Sequence, residues 1–195
     1  ILLLMQDIIQ TNDSSLKIGY FKDLDLIDKC ISDIQDKIVH KPEIKVFGKV
    51  CHQPRDVGFF SDDSVGYKYS RQIMRSQSLT PSLSSLLDVV NKEFNANFNG
   101  ILVNLYVDGN DSIGDHSDDE ASIGKEGVIA ISTGAVRKFR IRDKSSRKIV
   151  KDIPMEHGMI LQMCGDFQKE FTHGIPVEKR IKESRISFTF RYHKE

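Results

Sequence analysis

Residues 185–191 read Arg-Ile-Ser-Phe-Thr-Phe-Arg. Strict alternation of polar and apolar side chains is the period of a β-strand, in which residues two apart share a face. Arg185, Ser187, Thr189 and Arg191 therefore point one way, and Ile186, Phe188 and Phe190 the other. The aromatic face belongs against a core. The arginine face belongs in solvent or in a polar cavity, and that choice separates an open sheet from a closed β structure with a polar interior.

Two other pairs have the same arrangement: Asn104 with Tyr106, and His116 with Asp118. Three polar same-face pairs suit a polar-lined interior better than a chance surface. The surrounding sequence agrees. From residue 100 onward short strands are predicted at 101–107, 127–133, 137–142, 147–153, 158–164, 170–175 and 184–192, separated by glycines and charged turns. Upstream, Leu24, Ile27, Ile31, Ile34 and Ile38 recur at helical spacing behind Asp23 as N-cap. A second helix is expected from Thr80-Pro81, with Leu83, Leu86, Leu87, Val90 and Phe94 as its buried stripe and the polar run NANFNG at 95–100 ending it. Helices followed by this run of strands predict a mainly β fold with flanking α. Its expected core is a double-sheet jelly roll (double-stranded β-helix) able to enclose a small-molecule site.

The length of 195 residues suits one domain spanning 1–195. Three cysteines with no C-x-x-C spacing argue against a cysteine-rich zinc site and suggest an intracellular, reducing compartment. The opening ILLLMQDIIQ is interrupted by Gln6 and Asp7, too short for a membrane span and without the basic flank of a signal peptide. A soluble, monomeric chain is expected. Residue 1 is Ile rather than Met, as in a trimmed chain or a segment of a longer polypeptide.

Formal net charge is zero, yet the charges are segregated. Seven acids against Lys125 alone fill 106–126, and eight bases against Asp143 alone fill 137–151. Acids near a cation and bases near a polyanion would account for this asymmetry, as would a solvated basic hairpin turning at KSSRK.

An H-x-D pair such as His116 and Asp118 arises by chance about as often as not in this composition. With a distant histidine, here His173, it gives the two imidazoles and one carboxylate with which non-haem Fe(II) oxygenases hold iron while leaving positions open. A zinc hydrolase uses the same ligand types but gives Arg185 and Arg191 no role. Two arginines on one strand face suit an acidic co-substrate, because guanidinium pairs bidentately with carboxylate.

The segments NLYVDGNDSIGDHSDDE (104–120), FTHGIPVEKR (171–180) and RISFTFR (185–191) together resemble the AlkB family of Fe(II)- and 2-oxoglutarate-dependent dioxygenases. The likeness runs from about residue 44 to 192 and is strongest to the eukaryotic-type DNA and RNA repair homologues. It implies that His116, Asp118 and His173 bind and activate Fe(II), and that Arg185 and Arg191 hold 2-oxoglutarate. Asn104, Tyr106, Ser187 and Thr189 complete that pocket. It further implies that residues 1–98 hold N-terminal helices and a nucleotide-recognition region, and that 99–195 form the jelly-roll core.

The same resemblance implies substrate contacts. Glu120 falls where the family contacts the damaged base, and a carboxylate suits 1-methyladenine or 3-methylcytosine, whose rings are cationic. VFGK (46–49) and Pro54-Arg55 resemble a substrate-recognition hairpin, with Phe47 as a wedge that replaces a flipped base. GYKYS (66–70) places Tyr69 as an aromatic partner for that base. Two residues depart from the pattern: Ser187 stands where the family usually has Asn, and Arg71 where the similar homologues have Gly.

The reaction so implied consumes 2-oxoglutarate and O2, oxidises an N-methyl group on methylated DNA or RNA, and releases formaldehyde and succinate. Two alternatives remain at this stage. One is an oxygenase acting on N6-methyladenine in RNA or on protein; the other is a catalytically silent nucleic-acid-binding module using the basic 137–151 run.

Overall fold

The computed structural model describes residues 4–46, 48–69, 72–118 and 127–193. The chain opens with a hairpin of β1 (Gln6–Gln10) and β2 (Ser14–Tyr20), followed by α1 (Leu24–Ile34). Next come β3 (Glu43–Val46), β4 (Lys49–His52), β5 (Asp56–Phe60), β6 (Gly66–Tyr69), β7 (Gln72–Arg75) and α2 (Pro81–Phe94). The second half runs through β8 (Gly100–Tyr106), β9 (Ile113–His116), β10 (Val128–Gly134), β11 (Arg137–Asp143) and β12 (Ile149–Met155). It ends with β13 (Met159–Gly165), the one-turn α3 (Phe167–Glu170), β14 (Phe171–Ile175) and β15 (Arg185–Arg191).

Seven strands form the major sheet in the order β1-β2-β13-β10-β15-β8-β5, and four form the minor sheet in the order β12-β11-β14-β9. Every pairing within them is antiparallel. Two separate hairpins, β3-β4 and β6-β7, stand outside both sheets. All seven strands predicted after residue 100 are present, each within about two residues of its expected bounds.

Both helices form where their caps place them. The Asp23 side chain accepts from the N–H of Leu26 at 3.1 Å, and Thr80 accepts from Leu83 at 3.2 Å. Asn95 closes α2 in the left-handed conformation, φ 48°. Leu83, Leu86, Leu87 and Val90 are buried against Ile27, Cys30 and Ile34 of α1, and each contributes about 1.5–3 kcal/mol on leaving water.

The first half of the chain adds strands to the major sheet beyond those predicted after residue 100. β1 and β2 extend the major sheet beyond β13, and β5 pairs with β8 from Asp56↔Leu105 to Phe60↔Ile101. Strand β5 escapes periodicity for a physical reason: all five of its residues are buried, so neither face is turned to solvent.

The layers follow from alternation. Ile129, Ile131, Phe188 and Phe190 face the helices in one core. Val128, Ala130, Leu161 and Met163 face the minor sheet, where they meet Phe139, Ile141, Ile153 and Phe171 in a second core. The chamber between the sheets is where the polar residues of β8 and β15 point. No helix among the described residues is long and apolar enough to cross a membrane. Cys30 is buried in the first core, Cys164 is partly covered, and Cys51 is exposed on β4; none of the three is in a disulfide.

Candidate active site

Strand pairing assembles the cluster. β9 and β14 are neighbours with His116 directly opposite His173, and their rings lie 4.5 Å apart. Gly174 permits this approach, since a Cβ there would meet the Ile113 carbonyl oxygen at 2.8 Å. Asp118 lies just past the end of β9. The Nε2 atoms of His116 and His173 stand 3.8 and 3.6 Å from its two carboxylate oxygens, and the three donor atoms lie within 4.8 Å of one another.

The surroundings prepare these groups as ligands. His116 Nδ1 donates to the Gly114 carbonyl at 2.9 Å, which turns Nε2 toward Asp118. His173 stacks on Phe139 at 5.1 Å. Burial, and then the charge of His116, push His173 down to about 3, so it is neutral at physiological pH. Burial pushes the Asp118 carboxyl up, but the Arg191 guanidinium and then the two imidazoles outweigh it and hold it at about 2. The side chains of Asp118 and His173 are 4% and 6% exposed, whereas that of His116 keeps 23%, so the chamber opens on the His116 side. Two imidazole nitrogens and one ionised carboxylate within 4.8 Å of one another suit a divalent transition metal with open positions.

The arginine face of β15 looks into this chamber, not into solvent. Arg185, Ser187, Thr189 and Arg191 all line it, as do Asn104 and Tyr106 from β8. Arg191 donates to Asp118 Oδ1 at 3.1 Å. Arg185 is 2% exposed; its Nε donates to the Ser132 hydroxyl at 2.9 Å, and its guanidinium lies 5.3 Å from the Tyr106 ring centroid. A terminal nitrogen of Arg185 has no hydrogen-bond partner, and no carboxylate pairs with this residue among those described. A buried guanidinium left in that state is costly, and an anion in the chamber would relieve it. The residues thus fit both a metal ion and a carboxylate ligand beside it.

Arg55 sits in the same chamber, 3% exposed, with its Nε donating to Asn104 Oδ1 at 2.7 Å. It lies beside the expected co-substrate residues and away from the tip of the β3-β4 hairpin. Tyr69 ends β6, although its side chain lies outside the described residues; Phe47, Arg71 and Glu120 lie outside them entirely.

Sequence reading overlooked Ser132 and Gln168. Ser132 carried a signal, since it is two residues beyond Ala130 on β10 and faces Ser187 across the pair. Gln168, which accepts from the backbone of Asp118, carried none.

The basic run is mostly spent within the fold. Arg140 pairs with Asp152 at 2.7 Å, and Arg142 with Asp115 at 2.6 Å. Arg137 is 1% exposed and donates to the carbonyls of Asp108, Asp111 and Pro176 and to Glu178.

Comparison with known proteins agrees with this geometry. The sequence profile of the 2OG-Fe(II) oxygenase superfamily matches residues 22–191. Mouse DNA oxidative demethylase ALKBH2 is 30% identical over 177 residues, covering 84% of this chain and 74% of that protein. The chain belongs to the AlkB family of 2OG-Fe(II) oxygenases. Its human relatives include ALKBH2, 33% identical over 76% of this chain and 60% of that protein, and alpha-ketoglutarate-dependent dioxygenase alkB homolog 3, 35% identical over 71% and 51%. The match to human ALKBH2 thus spans about three-fifths of that relative's length. The solved structure of OsALKBH1 superimposes with a TM-score of 0.63 at 15% identity, covering 96% of this chain and all of that one, which establishes a shared AlkB fold. Membership implies Fe(II) and 2-oxoglutarate, used with O2.

Proposed function

We propose that this protein is an Fe(II)/2-oxoglutarate-dependent oxidative demethylase of N-alkylated bases in DNA or RNA, of the 1-methyladenine and 3-methylcytosine type. The observation that carries the proposal is the buried, incompletely satisfied Arg185 in the same chamber as the His116, Asp118 and His173 cluster. A metal site alone fits many reactions; a metal site facing an uncompensated guanidinium fits one that takes a carboxylate co-substrate. The names of the mouse and human ALKBH2 relatives support the substrate class.

In this reading His116, Asp118 and His173 hold the iron. Arg185 receives the distal carboxylate of 2-oxoglutarate, with Ser132 and Tyr106 fixing its plane. Arg191 orients Asp118 and stands at the metal-bound end of the co-substrate. Asn104, held by Arg55, and Tyr106 offer it hydrogen bonds, and Ser187 and Thr189 complete the wall. Leu102, Ala130, Leu161 and Met163 exclude water from the remaining surface. Bound iron supplies the redox chemistry, coupling decarboxylation of 2-oxoglutarate by O2 to oxidation of the N-methyl group, which leaves as formaldehyde. Glu120 is proposed to meet the cationic base, Tyr69 to stack on it, and Phe47 to fill the gap it leaves. The exposed free thiol of Cys51 suits a reducing intracellular compartment.

The test is mass spectrometry of matched single- and double-stranded DNA and RNA carrying defined methylated bases, with succinate and formaldehyde measured together. Stoichiometric loss of the methyl group from 1-methyladenine or 3-methylcytosine is expected. Succinate formation driven only by peptides or by N6-methyladenine would overturn the proposed substrate. Salt-sensitive oligonucleotide binding without turnover, after supply of iron and ascorbate, would overturn the enzymatic reading.

A further inference from the structure

We infer that Gln168 is a positioning residue for the metal: its side-chain amide fixes the backbone of Asp118, making segment 167–173 the common footing of all three donors. The inference rests on the metal-site reading above. His173 lies on β14, which continues from α3 without a break. From this same segment come two bonds that hold the other donors' loop. Ser117 Oγ donates to the Phe171 carbonyl at 2.9 Å, and the Asp118 N–H donates to Gln168 Oε1 at 2.9 Å.

The need for such a bond follows from the ladder. Pairing of β9 with β14 stops at His116↔His173, so the buried Asp118 N–H has no opposing strand carbonyl among the described residues. A buried donor there requires a side-chain acceptor. Gln168 is 8% exposed, and its two amide ends face different neighbours: oxygen toward Asp118 N–H, nitrogen toward Met163 Sδ at 3.5 Å. Only an oxygen satisfies the Asp118 N–H, which fixes the amide's orientation. The backbone of Gln168 is held in turn by Lys144, whose Nζ donates to its carbonyl at 3.1 Å. A one-turn helix thus sets the distance between the Asp118 carboxylate and the His173 ring. Supports of this kind behind metal ligands govern affinity by about ten- to a hundredfold.

The experiment uses the full chain and Co(II), a spectroscopic substitute that binds without turnover, titrated by visible absorption. Q168M keeps the volume and loses the acceptor; it is expected to weaken Co(II) binding about tenfold or more and to change the intensity of the Co(II) bands. Q168E retains an acceptor oxygen and is expected to bind more tightly than Q168M. K144M loosens the α3 backbone at one remove from Asp118 and should weaken Co(II) binding by less than Q168M does. Ser117→Ala removes the second tether from outside α3, so it tests the footing even where Q168M does not fold; a several-fold weakening is expected.

Unchanged Co(II) affinity in Q168M, or in Ser117→Ala where Q168M fails to fold, overturns the inference while leaving the metal site intact. So does a K144M defect as large as that of Q168M. Failure of the wild-type chain to bind Co(II) overturns the metal-site reading itself.

Discussion

Arg191 donates to Asp118 Oδ1 at 3.1 Å with both side chains almost wholly buried, so the carboxylate oxygen nearest His116 Nε2 is already committed to a cation. Arg191→Met removes that compensation. It should raise the Asp118 pKa and weaken divalent-metal binding, measured by Co(II) titration at pH 7. Equal affinity in the variant would mean that the imidazoles alone keep Asp118 ionised.

His116→Ala and Asp118→Ala each delete one of three donors. Turnover should fall below detection in both; Asp118→Ala also removes the buried partner of Arg191 and should cost stability, so a thermal midpoint accompanies each assay. Formaldehyde release retained by either variant would refute the ligand set.

Arg185→Ala leaves the metal cluster untouched and should chiefly raise the 2-oxoglutarate KM. Arg185→Lys should recover only part of the loss, because an ammonium cannot make the bidentate contact. An unchanged KM in the alanine variant would assign co-substrate anchoring to another group. Ser187→Asn is expected to lower the same KM, by adding an amide opposite Asn104 and Ser132.

The metal-free chain should lose stability on mild acidification. His173 has a folded pKa of about 3 against an ordinary value of 6.5, so between these values the unfolded chain binds the extra proton. Stability from this group is therefore complete above about pH 6.5 and falls as pH drops toward 3. Thermal midpoints of the apo-protein from pH 7.5 to 4.5 should decline, and His173→Gln should flatten the slope. A slope identical in the variant would place the acid sensitivity elsewhere.

Arg137 ties the turn after β8 to the segment after β14 through three carbonyls and Glu178. Replacement by methionine strands those acceptors and should cost about 3–5 kcal/mol in urea unfolding. A loss below about 1 kcal/mol would show that these loops hold together without it.

What could be read in advance depended on whether the signal was local. The alternation of 185–191 placed its arginines in the chamber, and the caps Asp23 and Thr80 located both helices, because each is a relation between residues a few positions apart. β5 could not be found this way, since a strand buried on both faces has no period, and the β1-β2 hairpin joins the sheet only through its register with β13. At the site, residue types left several metal chemistries open; strand alternation paired the arginines, and the family resemblance implied the roles of His116, Asp118 and His173. Gln168 and Arg55 gain their meaning from partners 50 and 49 positions away.

The distribution of thiols gives the molecule a built-in handle. Burial pushes the Cys30 thiol to about 11 and raises that of Cys164, whereas Cys51 stands exposed on the β3-β4 hairpin. A thiol-reactive fluorophore at neutral pH should therefore attach at one place, two residues into β4, about 7 Å along the strand from its first residue. Without a single engineered mutation, its anisotropy and quenching would report what that hairpin touches when oligonucleotides are added.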